Sequence, residues 1–144
     1  MLQTDLRSPL LRRIDQLARL QDGWNGEDSR APLPQTLERL QNLIDALPRF
    51  ALRLIQDPSH DLYADSDGDL LLEWALADGQ IVAGIITQPE GWSGYFFDRN
   101  DEPTDVELSS DLDLIVKGFK PILETLERVG NLGEAYYTFQ TSSS

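Results

Sequence analysis

The sequence predicts one α+β domain: two N-terminal helices, a four- or five-stranded antiparallel meander, and one kinked C-terminal helix packed on one face of the sheet. Three observations predict it. Apolar residues at helical spacing fill two segments before residue 50. From Asp61 to Asp98 apolar runs alternate or become β-branched, broken by turn chemistry at Asp67-Gly68, Asp78-Gly79 and Pro89-Glu90-Gly91. Helical spacing then returns after Ser110. A chain of 144 residues suits a single domain spanning 1–144, with a polar tail from about residue 131.

Helix one is expected to begin at Ser8-Pro9, with serine as cap and proline in the first turn. Leu10, Leu11, Ile14, Leu17 and Ala18 continue it to about Gln21. In Asp22-Gly23-Trp24-Asn25-Gly26, Gly23 suits a helix C-terminal cap and Asn25-Gly26 a turn. Trp24 reads as a structural anchor whose indole N–H finds a carbonyl. Pro32-Leu33-Pro34 opens helix two, Leu37, Leu40, Leu43, Ile44 and Leu47 form its stripe, and Pro48 stops it. Phe50 to Ile55 fits either a helical turn or a strand, and residues 56–61 read as a loop.

Leu62-Tyr63-Ala64 predicts a short first strand. Leu70, Leu72, Trp74 and Leu76 alternate with Leu71, Glu73, Ala75 and Ala77, which predicts a strand with one strongly apolar face and Trp74 as its anchor. Ile81 to Thr87 is β-branched on both parities and predicts a central strand covered on both sides. Trp92 to Phe97 is aromatic-rich, with Gly94 marking a bulge or a close approach. Val106 and Leu108 alternate with Asp105 and Glu107, which predicts a short edge strand guarded by charge. Ser109 or Ser110, with Asp113 following, is expected to cap the last helix. Gly118 and Pro121 are expected to kink or split it.

Charge is unevenly distributed. Residues 55–113 hold 15 acidic and one basic residue, Arg99, so this segment carries −14 of a chain total of −13. Such a segment repels nucleic acid and attracts basic partners, although acidic turns and edges also keep a sheet soluble. The absence of cysteine excludes disulfides, thiolate metal sites and cysteine nucleophiles. No apolar run reaches membrane-span length, and a cytoplasmic location is expected.

The candidate chemistries fail on spacing. Asp65-Ser66-Asp67-Gly68-Asp69 resembles the start of a calcium loop, but glycine falls at position 4 and leucine at positions 6 and 12. A hairpin turn explains it better, and no metal or other cofactor is expected. His60, the only histidine, has no second zinc ligand of its kind and no glycine-flanked nucleophile serine to serve. The only lysines are Lys117 and Lys120, so no phosphate-cradling loop can be assembled.

Leu20-Gln21-Asp22-Gly23-Trp24-Asn25-Gly26, a leucine-rich helix, and then Gly68-Asp69-Leu70-Leu71-Leu72-Glu73-Trp74 together resemble a family of small bacterial α+β proteins. These pair a Trp-Asp-Gly loop between two helices with a Leu-Glu-Trp strand. Asn25 stands where they usually carry Asp. The resemblance covers roughly residues 17–98. It implies an α+β fold and a bacterial or mobile-element origin, and it assigns no catalytic residue.

The function expected from these readings is non-enzymatic. An acidic module would inhibit or regulate a basic or nucleic-acid-binding protein, as an antitoxin, immunity protein, phage-encoded inhibitor or nucleic-acid mimic does. The partner surface is expected at Trp92, Tyr95, Phe97, Asp98, Asp101, Glu102, Asp105 and Glu107, with no direct contact to nucleic acid or membrane. The alternative is a small ligand-binding or hydrolytic module whose pocket includes Trp24, Trp74 and Trp92.

Overall fold

The structure, a computed structural model, describes residues 6–55, 57–76, 81–98, 104–118 and 124. Helices α1 (Ser8–Ala18), α2 (Pro34–Ala46), α3 (Arg49–Arg53) and α4 (Pro58–Asp61) precede five strands. These are β1 (Leu62–Ala64), β2 (Leu70–Leu76), β3 (Ile81–Gln88), β4 (Gly91–Asp98) and β5 (Thr104–Ser109). They form one antiparallel sheet in the order β1-β2-β3-β4-β5, so the meander is unbroken. Helix α5 follows at residues 112–118. The expected kink at Pro121 lies outside the described residues. No described helix is long and apolar enough to cross a membrane.

Prolines set the helix boundaries. Pro34 is the first residue of α2, where its missing N–H costs nothing. At the other end Pro48 holds Leu47 extended at ψ 141°, which terminates α2. The start of α1 differs from expectation: Arg7 is the cap, and Ser8 is already helical. Its end differs too. Arg19 closes α1 four residues before Gly23, with Arg19 N donating to Gln16 O and Leu20 N to Leu17 O. A tightened last turn satisfies the final carbonyls, so no glycine is needed there. Gly23 instead takes its positive φ of 85° inside the following loop.

Residues 56–61 are not simply a loop. Asp57 caps the single turn α4 through its side chain, which accepts from Ser59 N at 3.1 Å. That hydroxyl and amide contact holds the Asp57 carboxyl below its usual range. At α5 the capping residue is Asp111, whose carboxylate accepts from Asp113 N at 3.0 Å; Ser109 Oγ accepts from Asp111 N one step earlier.

Register assigns the strand faces. Leu62, Leu72, Ile85 and Gly94 fall in one cross-strand row, and Leu70, Thr87 and Trp92 in another. Their buried members join Leu10, Ile14 and Leu17 of α1, Leu40, Leu43 and Ile44 of α2, Ala51, Leu52 and Ile115 in one core. Trp74, in the row with Ala83, is fully buried, and its indole N–H donates to Ala51 O at 2.8 Å. Leu72, Trp74, Ile85 and Leu40 therefore share one core, as the parities predict. Near Gly94 the β4–β5 register shifts: Trp92 faces Ser109 and Gly94 faces Val106, which leaves one extra residue on β5.

Two sequence motifs meet here. The loop after α1 is cross-braced by Gly23 N to Ser29 O, Trp24 Nε1 to Arg30 O and Ala31 N to Asp22 Oδ1. Arg30 N then donates to Ser66 O at 2.9 Å in the β1–β2 turn. Gly68 of that turn, at φ 84°, lies flat against the Ala31 backbone. The Trp-Asn-Gly loop and the acidic hairpin thus form one docked unit.

Candidate functional site

The core-facing rows leave the other parity of the sheet on the opposite side. Tyr63 and Leu71 pair there, followed by the rows Leu71–Ile86–Ser93 and Glu73–Gly84–Tyr95–Asp105. Ala75 and Val82 add a further row, with Phe97 opposite Val82 by backbone register. Every described side chain on this face is half-buried or exposed. Among the described residues β3 is therefore central but covered on one side only. Its Val82 and Ile86 are shielded only partly, and they form an aliphatic surface between the flanking strands.

Glu73 sits at the middle of this face. Tyr63 Oη and Tyr95 Oη each donate to its Oε1 at 2.5 Å. Tyr63 comes from the adjacent strand β1, whereas Tyr95 comes from β4 and must reach over β3. Gly84 makes this possible, because a Cβ at that position would collide with Cζ and Oη of Tyr95. Both phenols are pushed well above their usual range, first by burial, then by their hydrogen bonds to Glu73 and its charge. They stay protonated and act as donors.

This arrangement has a pH signature. A phenol raised in the folded state contributes stability in full below its unfolded pKa of about 10, and loses it as pH climbs toward the folded value. Stability is expected to fall above about pH 10 for this reason. In a spectrophotometric titration, two of the four tyrosines should ionise well above the normal range. Glu73→Gln should bring both downward. Unchanged ionisation in that variant would show that Glu73 does not hold them.

The expected partner residues are only partly brought together. Tyr95 and Asp105 share the Glu73 row on the face opposite the core. Asp105 and Glu107 are exposed on β5. Trp92 is a correction: it is 3% exposed, and its indole N–H donates to Arg39 O at 3.2 Å. The Arg39 guanidinium lies 5.2 Å from its ring centroid, and Arg39 Nε donates to Pro89 O. Trp92 thus locks α2 to the β3–β4 turn and offers nothing to a partner. Phe97 and Asp98 are placed by backbone register alone, and Asp101 and Glu102 lie outside the described residues.

The three indoles do not line a shared pocket. Trp74 and Trp92 are core residues, while Trp24 stands half-exposed on its loop, bonded to Arg30 O at 2.8 Å. Trp24 is the anchor expected, though it braces its own loop and is not part of the core cluster. His60 is exposed on α4 beside Asp61 Oδ1 at 3.2 Å.

The acidity is concentrated at the sheet's turns and edge more than across its face. Asp65, Asp67 and Asp69 occupy the β1–β2 turn, with carboxylate oxygens within 4.8 Å of one another. Asp65 Oδ1 accepts from Asp67 N and Asp69 N, closing the turn. Asp69 accepts from Gln88 Nε2, and its carboxyl is pushed up chiefly by burial. No family model, curated protein or solved structure matches the chain.

Proposed function

We propose that this protein is a non-catalytic binding module of the cytoplasm whose outer sheet face, opposite the core, receives a basic protein partner and inhibits or regulates it. The observation that carries this reading is Glu73: a half-buried carboxylate, central on an aliphatic and aromatic face, with two phenol donors and no cationic partner among the described residues. Leu71, Val82 and Ile86 supply apolar area for affinity, and the acidic turns and β5 edge supply a field that draws in positive charge. A nucleic-acid-binding protein, with its own basic surface, is the natural class of partner. Free nucleic acid is repelled by the same field.

The test is kinetic. A partner is first captured from the host and identified by cross-linking and mass spectrometry. Its association rate is then measured against salt for wild type and for Asp105→Lys with Glu107→Lys, both exposed sites. The reversals should slow association more than they speed dissociation, and salt should screen the difference beyond about 8–10 Å. A rate indifferent to both would reduce the acidity to a solubility device.

A further inference from the structure

The Glu73 cluster is more specific than a general acidic face. A carboxylate has about four lone-pair positions, two on each oxygen. Tyr63 Oη and Tyr95 Oη both donate to Oε1, so that oxygen is filled. Oε2 has no hydrogen-bond partner among the described residues. The two phenols come from opposite sides, one from the neighbouring strand β1 and one across Gly84 of β3, which fixes the carboxylate in one orientation. The surroundings are aromatic and aliphatic: Tyr63 and Tyr95 on either side, with Leu71 and Ile86 in the next row.

An oriented anion beside aromatic rings on an accessible surface suits a cation that sheds water readily and stacks on rings. Guanidinium does both better than ammonium. With Oε1 filled, a forked two-oxygen pairing is unavailable. One N–H would meet Oε2 while the guanidinium plane lies against a phenol ring. We infer that Tyr63, Glu73 and Tyr95 form a receptor for a single arginine side chain presented by the partner. The inference rests on the proposed binding role of this face and names the side chain that enters it.

The test uses the full ¹⁵N-labelled chain and three tripeptides: Gly-Arg-Gly, Gly-Lys-Gly and Gly-Gln-Gly. Gly-Arg-Gly should shift the amides of Glu73, Gly84 and Tyr95 in a saturable way at millimolar concentration. Gly-Gln-Gly should not, and Gly-Lys-Gly should bind more weakly. Glu73→Gln should weaken the arginine peptide about tenfold, the size expected for a charged hydrogen bond. Glu27→Gln removes the same charge from an exposed loop position and should leave binding unchanged.

The wild-type titration is decisive even if Glu73→Gln folds poorly. Absent shifts overturn the inference, as do shifts confined to the acidic turns. Equal binding of the lysine peptide overturns the arginine assignment. Each of these results leaves the wider partner-binding reading to its salt-dependent kinetics. An indifferent association rate with intact arginine binding would instead remove that reading and keep the receptor.

Discussion

Replacing Trp74 by alanine is expected to lower stability by about 3–5 kcal/mol. Two losses combine. Trp74 is fully buried in the row with Ala83 and belongs to the one core shared by helices and sheet, so alanine leaves a cavity that the rest of the core can fill only in part. Its indole N–H also donates to Ala51 O at 2.8 Å, and Ala51 is itself fully buried. Without that donor the buried Ala51 carbonyl keeps only its backbone bond from Leu54 N at 3.2 Å. Trp74→Phe separates the two effects, because it keeps most of the volume and removes the N–H; it should cost about 1–3 kcal/mol. Equilibrium urea unfolding measures both. A loss below about 1 kcal/mol for alanine would contradict the packing described, since whole domains of this size are stable by only about 5–15 kcal/mol.

The elements with strong periodicity were legible from the chain. Leu70 to Ala77 alternates cleanly because only one face of β2 meets the helices. The register confirms it, with Leu70, Leu72 and Trp74 inside and Leu71, Glu73 and Ala75 outside. β4 carries no such signal. Trp92, Tyr95, Phe96 and Phe97 occupy both parities, so an outward Trp92 and an inward one fit the pattern equally well. Pairing with Thr87 and the reach to Arg39 O decide the matter, and both are tertiary. β3 misleads for a related reason. Val82 and Ile86 look like core residues, yet β-branched side chains also suit a half-shielded central strand. Helix α4 is too short for any period to declare it.

The Tyr63–Glu73–Tyr95 cluster was hidden by distance along the chain. Its donors stand 10 and 22 residues from the acceptor, and one crosses an intervening strand. A signal did exist. Glu73 is the only charged residue in a seven-residue apolar strand, and Gly84 interrupts a strand rich in β-branched residues. A carboxylate in such a setting needs donors, and a mid-strand glycine signals that something passes over it. Those two facts together point to a long side chain reaching across Gly84. The same reasoning explains the acidic meander. Its charges fall at turns because aspartate closes turns, as Asp65 does for Asp67 and Asp69, while the face between the turns stays nearly uncharged.

Gly68→Ala is expected to lower stability by about 2–3 kcal/mol. Its φ of 84° lies in the left-handed region, where any Cβ is strained. An added Cβ would also stand 2.8 Å from Ala31 O and 3.2 Å from its carbonyl carbon. Both are backbone atoms, so no rotamer change relieves the contact. The loop after α1 must separate from the β1–β2 turn, and the Arg30 N to Ser66 O bond at 2.9 Å goes with it. Gly26→Ala provides the control. That residue also has positive φ, 117°, but nothing lies within 4 Å of its added Cβ, so it carries strain without collision. Gly26→Ala should therefore cost only about 1–2 kcal/mol. Hydrogen exchange at the Arg30 amide should accelerate in Gly68→Ala and stay slow in Gly26→Ala. Equal losses in the two variants, with Arg30 protected in both, would mean that the Trp-Asn-Gly loop and the acidic hairpin do not depend on each other.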